Sequence, residues 1–299
     1  MLSIEPSGQI LGATIRGVDL SKPLSVREIG NILAAIGRHG VIHFPGQDLD
    51  PIGIREFAKQ LGPVQIPEGI KEPGVPEISV LSNIVVDGKN IGALDAGMIW
   101  HKDMTYQKDI GWATVLYGMK IPMRGGKSLG GTQFSNCYAA YDDLPEDVKR
   151  KLEGVTGIHS SVMYNAKVRR LGSKRPAYSG EKLLKQKTLP HPVVLIHPVS
   201  GRKVLYCDPG HVESLEGLPE DEAAELLIFL GEHQLQEKYR YIHKWTEGDL
   251  LMWDNMSTLH MATLDYEPHE HRLMKRCQIL SDRLRDREFI RSHLSAAQV

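Results

Sequence analysis

Two short segments supply two imidazoles and one carboxylate: Trp100-His101-Lys102-Asp103, and Trp253-Asp254-Asn255-Met256-Ser257-Thr258-Leu259-His260. Arg272 and Arg276 follow in a strand-like run. Two histidines and one carboxylate on a triangular face leave coordination positions open, as in non-haem iron(II) sites that activate oxygen. Two fixed cations beside such a face would suit a keto-diacid, because guanidinium matches carboxylate with a two-pronged fork.

The spacing carries part of this reading. His101 and Asp103 are two apart, so in extended backbone both side chains leave the same face. His260 lies beyond a strand and the tight turn at Asp254-Asn255, which would fold it back toward the His-x-Asp pair. In an extended 272–279, Arg272, Met274, Arg276 and Gln278 share one face, with the two arginine stems roughly 13 Å apart. Should that face point inward, unpaired guanidinium groups would be costly and anions must meet them. Taken singly, each feature has an ordinary reading as a surface pair, a core histidine or a solvated stripe. A rival cluster, His269-Glu270-His271, has zinc-like spacing but reads as a solvated turn.

These residues need elements to position them. Ser25-Val26-Arg27-Glu28 is a capping box opening a helix that ends near Gly40, and Val41-Ile42-His43-Phe44 then reads as a buried strand. A second helix is expected at 51–60 and others at 145–152 and 219–232, the last two opening with Leu-Pro and acidic residues. Strand character marks 77–83 and 112–119; 193–197 and 203–207 form a hairpin; 249–253, 259–264 and 272–280 close the fold. Many short strands with a few helices laid outside indicate a mainly β protein with flanking helices, a sandwich or jelly roll rather than a parallel sheet. No repeat or linker divides the chain, so 1–299 is expected to be one domain.

At 299 residues the chain can bury a sizeable core. A formal net charge of −1 gives no reason to expect nucleic acid or an anionic membrane as partner. No apolar run approaches a membrane span, and the first residues lack a secretory pattern. Cys137, Cys207 and Cys277 are widely spaced, which argues against disulfides and fits the reducing cytoplasm. Residues 166–187 are crowded with Lys167, Arg169, Arg170, Lys174, Arg175, Lys182, Lys185 and Lys187. They form either a solvated excursion or a lid, placed at 160–190, over an anionic substrate.

In combination and order, these motifs resemble the taurine/2,4-dichlorophenoxyacetate dioxygenase family of iron(II)- and 2-oxoglutarate-dependent oxygenases. The resemblance runs through residues 12–20, 41–47, 100–103, 130–136 and 191–194, then Trp253-Asp254-Asn255, His260 and Arg272. It implies a double-stranded β-helix (a cupin-like jelly roll), with Fe(II) held by His101, Asp103 and His260 as the catalytic group. It also implies that Arg272 pairs with the far carboxylate of 2-oxoglutarate, with Thr132 as hydroxyl helper. Arg276 would face the cosubstrate or an acidic substrate. Gly125-Gly126-Lys127-Ser128 lengthens the loop before Thr132, so Ser128 is a second candidate for the hydroxyl. Lys102 stands where a small hydroxyl residue is common and should point away from the metal. The polar residues that taurine-using members offer a sulfonate are missing from 64–76 and 84–99.

The reaction so implied is hydroxylation of a C–H bond in a small organic acid, using O2 and yielding succinate and CO2. Asn83, Trp100, Tyr106 and Arg276 are expected at the substrate. Competing readings are a zinc hydrolase using the same three ligands and a non-catalytic, metal-bound acid-binding jelly roll. A homo-oligomer is expected on general grounds of symmetry.

Overall fold

Period-two alternation along the central strands separates two apolar cores. The computed structural model describes residues 2–186 and 188–297, with the side chains of Lys182 and Lys185 left outside; Lys187 also lies outside the described residues. In the strand Leu250–Asp254, Leu250 and Met252 face a helical layer, while Leu251 and Trp253 face a second, smaller sheet. On Gly111–Lys120, Ala113, Val115 and Tyr117 join the helix-side core and Leu116 joins the other. A strand buried on both faces therefore still carries a two-sided code, with polar residues such as Thr114 placed between the sheets.

The larger sheet has eight strands in the order Ser3–Pro6, Ala13–Arg16, Val41–Phe44, Leu250–Asp254, Gly111–Lys120, Leu273–Leu280, Val75–Ser82 and Lys71–Glu72. The parallel pair of strands Ala13–Arg16 and Val41–Phe44 is joined by the crossover helix Val26–His39. The capping box at Ser25 forms, Gly40 ends the helix at φ 68°, and Ile29, Ile32, Leu33 and Ile36 are buried on one face. Such spacing fixes which face docks, and Leu33→Ala would cost about 2–5 kcal/mol. Asp50 caps Pro51–Leu61 by accepting from Gly53 N at 2.6 Å.

The smaller sheet orders Arg240–His243, Thr132–Asn136 and Thr258–Ala262. It packs on the larger through Phe134, Leu81, Leu116, Trp253 and Met274. A third sheet (Leu189–Pro192, Thr156–His159, Val212–Glu216), the hairpin of Val194–Ile196 with Lys203–Leu205, and the helix Glu220–His233 enclose a separate apolar cluster.

The expected helices and closing strands are present to within a few residues; the strand foreseen at 272–280 is Leu273–Leu280. Several elements lay outside the sequence reading, among them the first strand, the strands Thr132–Asn136, Thr156–His159, Val212–Glu216 and Arg240–His243, the helix Arg287–Ala296, which packs on Val26–His39, and the helix Ser161–Arg170. Ser161–Arg170 corrects the picture of 166–187 as a wholly solvated excursion. Tyr164 and Val168 are buried, Lys167 Nζ donates to the Pro209 carbonyl at 2.7 Å, and Arg175 pairs with Asp95 at 2.9 Å. Among the described residues no helix is long and apolar enough to cross a membrane.

Candidate active site

His101 and His260 are joined by their backbones before any side chain is considered. His101 N donates to the His260 carbonyl at 3.1 Å, and His260 N donates back at 2.9 Å. That reciprocal pair brings the two ring centroids to 4.1 Å. Asp103 completes the group, with Oδ1 3.7 Å from His101 Nε2 and Oδ2 3.8 Å from His260 Nε2. One ligating atom from each residue lies within 4.8 Å of the others, and all three residues are buried. His101 Nδ1 sits 2.8 Å from the Ile99 carbonyl, an acceptor only, so Nδ1 carries the hydrogen and Nε2 presents its lone pair. The His-x-Asp segment is not a continuous strand. It turns immediately after Asp103 through Met104, whose φ of 62° is rare for a non-glycine residue.

Asp103 is held on several sides. Thr114 donates to its Oδ2 at 2.7 Å, Asn255 Nδ2 donates to the Thr114 oxygen at 3.0 Å, and Arg276 Nη1 lies 3.5 Å from Oδ1. Burial works to raise the carboxyl, but Arg276 and the two histidines outweigh it and hold Asp103 well below the usual carboxylate range. Burial pushes His260 far down, so both partners stand ready as an anion and a neutral imidazole. Asp254 fixes the turn that delivers His260 by accepting from Met256 N at 2.6 Å and Ser257 N at 3.0 Å. Its other oxygen stands 2.6 Å from His197.

A second carboxylate, Asp208, positions the His-x-Asp backbone by accepting from Lys102 N at 3.0 Å, and it takes the His211 Nδ1 hydrogen at 2.6 Å. Burial opposes its charge, yet His211 and the neighbouring donors keep it strongly depressed. Gly210 is required here, since a Cβ would fall 2.9 Å from both His101 Cβ and the Trp100 carbonyl. Lys102 points away from the three ligands, as expected, but into the core. Fully buried, its ammonium donates to the carbonyls of Met256 (2.9 Å) and Thr258 (3.2 Å) and to Cys137 Sγ at 3.1 Å.

Arg272 is also buried, and its Nε has no hydrogen-bond partner among the described residues. Burial lowers its pKa against the opposing influence of Tyr266. A guanidinium left so incompletely paired calls for an anion. Its stem passes over Gly130, where a Cβ would come 2.8 Å from Nε at a φ of 68°. Thr132 is the residue of its strand nearest that glycine and shares a sheet face with Phe134, the register partner of His260. Trp245 Nε1 donates to the Thr132 oxygen at 3.0 Å, leaving the hydroxyl hydrogen to be donated elsewhere. Ser128 instead belongs to the two-residue hairpin strand Lys127–Ser128, paired with Met123–Arg124.

The remaining candidates divide. Tyr106 is at the site: its ring lies 5.2 Å from His211, and burial, with Asp103 adding, pushes its hydroxyl up to about 12. Asn83 is corrected to a brace. Its amide oxygen accepts from Arg272 N at 2.8 Å and its nitrogen donates to the Glu270 carbonyl at 3.0 Å, so both ends are committed to the loop before Arg272. Trp100 is likewise corrected: it packs with Tyr138, Val204 and Leu259, and Arg240 covers its ring at 5.6 Å. Being adjacent to His101 sends it to the opposite side. His269 and His271 are exposed and Glu270 is tied to Arg124, which bears out their reading as a solvated turn. Missed by the sequence reading was Tyr164, which stacks on His211 at 4.5 Å and 8° and reaches within 5.2 Å of the His101 ring.

Two imidazole nitrogens and a carboxylate converging from a mainly β scaffold define a facial-triad oxygenase type of centre, and this donor set fits iron(II). The chain belongs to the taurine catabolism dioxygenase TauD, TfdA family, whose profile matches residues 3–278. It is 30% identical over 292 residues to the alpha-ketoglutarate-dependent 2,4-dichlorophenoxyacetate dioxygenase of Cupriavidus pinatubonensis, covering 93% of this chain and 97% of that one. It is 31% identical over 281 residues to an alpha-ketoglutarate-dependent sulfate ester dioxygenase of Pseudomonas putida, covering 89% and 85%. Among solved structures, AAD-2 in complex with Mn(II) and N-oxalylglycine superposes with a TM-score of 0.77 at 27% identity, covering 94% of this chain and 97% of that one.

Proposed function

We propose that this chain is an Fe(II)- and 2-oxoglutarate-dependent dioxygenase that hydroxylates a C–H bond of a small organic acid. The observation that carries the proposal is the convergence of His101, Asp103 and His260 within one chain that also buries Arg272 without a full set of partners. Iron(II) at the triad, with 2-oxoglutarate and O2, supplies the oxidation: the keto acid becomes succinate and CO2, and one oxygen atom enters the substrate.

The protein's own residues supply geometry and charge. His101 and His260 offer lone pairs because burial keeps His260 neutral and Ile99 fixes the His101 tautomer. Asp103 stays anionic beside Arg276. Arg272 receives the far carboxylate of 2-oxoglutarate, and Thr132 donates its hydroxyl to the same group. Tyr164 and His211 roof the triad and exclude water, so the helix Ser161–Arg170, within the expected lid, serves to close it. Tyr106 and Arg276 stand where a substrate would meet a polar edge and a cation.

The substrate reading follows the relatives, whose names cover an aryloxyacetate and sulfate esters: an organic acid bearing one anionic group, held near Arg276. The two facing sheets support a double-stranded β-helix in one domain. A cytoplasmic location and a homo-oligomer complete the proposal; three free buried cysteines support the former. The zinc-hydrolase alternative leaves the buried Arg272 without a role, and the relatives are named as dioxygenases rather than as binding proteins.

The test is anaerobic addition of Fe(II) and 2-oxoglutarate, followed by air and a succinate assay across sulfonates, aryloxy acids and sulfate esters. A weak visible charge-transfer band that His101→Ala removes is expected before oxygen enters. Absence of the band in loaded, folded protein would overturn the proposal.

A further inference from the structure

A second group of two histidines and a carboxylate lies at the seam between the two sheets. His43 is on Val41–Phe44 of the larger sheet, His243 ends Arg240–His243 of the smaller, and Asp249 immediately precedes Leu250–Asp254. His43 Nε2 is 2.9 Å from Asp249 Oδ1, and His243 Nε2 is 3.8 Å from Oδ2. The two rings are 4.8 Å apart, and one ligating atom from each residue lies within 4.8 Å of the others, as in the first triad.

Hydrogen bonding alone does not account for this arrangement. Both Nε2 atoms are buried, both are directed at the same carboxylate, and neither makes a hydrogen bond of acceptable geometry. Asp249 Oδ2 already accepts from Thr246 N at 2.7 Å, and the Asp249 carbonyl accepts from Gly118 N at 2.9 Å, so the carboxylate is anchored independently of the histidines. The side chain of His43 is 19% exposed although its Nε2 is buried, so the group lies just beneath the surface.

We propose that His43, His243 and Asp249 form a second divalent-metal site, of the zinc type, that clips the smaller sheet to the larger. Two imidazoles, one carboxylate oxygen and a water make a tetrahedral zinc set, and zinc outcompetes iron(II) at nitrogen-rich sites. The site shares no residue with the first triad. It does touch its supports: His243 packs edge-on against Trp245 at 4.8 Å, and Trp245 holds the Thr132 oxygen. A metal here would fix the end of the strand that faces Thr132 without altering the iron ligands.

The experiment uses untagged, chelator-stripped protein dialysed against micromolar Zn(II), followed by metal analysis. Wild type is expected to retain two zinc ions per chain, and a His101→Ala/His260→Ala chain to retain one. Adding His43→Leu should remove one ion from each and abolish the zinc-dependent rise in thermal midpoint of the His101→Ala/His260→Ala chain. A folded His101→Ala/His260→Ala chain that holds no zinc, or one that keeps its zinc once His43→Leu is added, overturns the proposal. Should the multiple variants misfold, wild-type crystals soaked in Zn(II) decide it. An anomalous peak between His43, His243 and Asp249 supports the site, and a peak confined to His101, Asp103 and His260 overturns it.

Discussion

The Thr114 hydroxyl donates to Asp103 Oδ2 at 2.7 Å, and through Asn255 it ties a central strand of the larger sheet to the turn that delivers His260. Partners of this kind orient a metal ligand, and their loss commonly costs about 10–100-fold in metal affinity. Thr114→Val keeps the shape and removes the donor. Iron(II) affinity, read from the charge-transfer band, is expected to fall within that range while the fold is retained; unchanged affinity would show that Asp103 needs no such support.

Arg272 is expected to dominate cosubstrate binding. Removing one member of a buried, hydrogen-bonded charge pair costs about 2–5 kcal/mol, so Arg272→Ala should raise the KM for 2-oxoglutarate roughly 30-fold or more. Arg272→Lys should recover only part of this, because an ammonium cannot reproduce the fork. Equal loss across all ligands, with no selective effect on 2-oxoglutarate, would contradict the assignment.

Tyr164 stacks on His211 beside the His101 ring, a contact worth about 0.5–1.5 kcal/mol beyond its buried area. Tyr164→Ala should raise the KM for the organic acid roughly 2- to 12-fold and leave 2-oxoglutarate binding alone. Consumption of 2-oxoglutarate without substrate oxidation should also increase, measurable as excess succinate over product. A matched fall in both would place Tyr164 outside the lid role.

His159 sets part of the acid limit. Its ring is buried with neither nitrogen hydrogen-bonded, and burial takes it down to about 3. An unfolded histidine titrates near ~6.5, so between those values the unfolded chain binds the extra proton. Stability is therefore full above the unfolded value and declines as pH falls toward the folded one, by at most about 1.4 kcal/mol per pH unit. His159→Phe should lose about 2 kcal/mol less than wild type between pH 7 and pH 4.5 in urea midpoints. Parallel pH profiles for the two proteins would refute this.

What the sequence disclosed were features whose physics is local. The capping box at Ser25 and the proline start at Pro51 depend on neighbours within four residues, and both helices form where the spacing places them. His101, Asp103, His260 and Arg272 stood out by residue type and spacing, but their roles came from the family resemblance. Partners that come from distant segments were not. Thr114, Asp208 and Tyr164 reach the site from three separate elements, and Tyr164 sits on a helix whose basic second half hides its one inward face. Trp100 failed for the opposite reason, since nearness to His101 along the chain was taken for nearness in space, and Asn83 failed because its partners lie in a distant segment. Alternation turns Trp100 outward, and Asn83 is consumed by the loop before Arg272.

The reciprocal backbone bond between His101 and His260 bears on how a bound ion would leave. Neither histidine can swing clear by a rotamer change alone without its ring remaining beside the other's backbone. Full release then requires the Thr258–Ala262 strand to part from the 101 segment. The off-rate of the metal should accordingly track opening of that strand pair, and the amide hydrogens of His101 and His260 should exchange with solvent on the same clock.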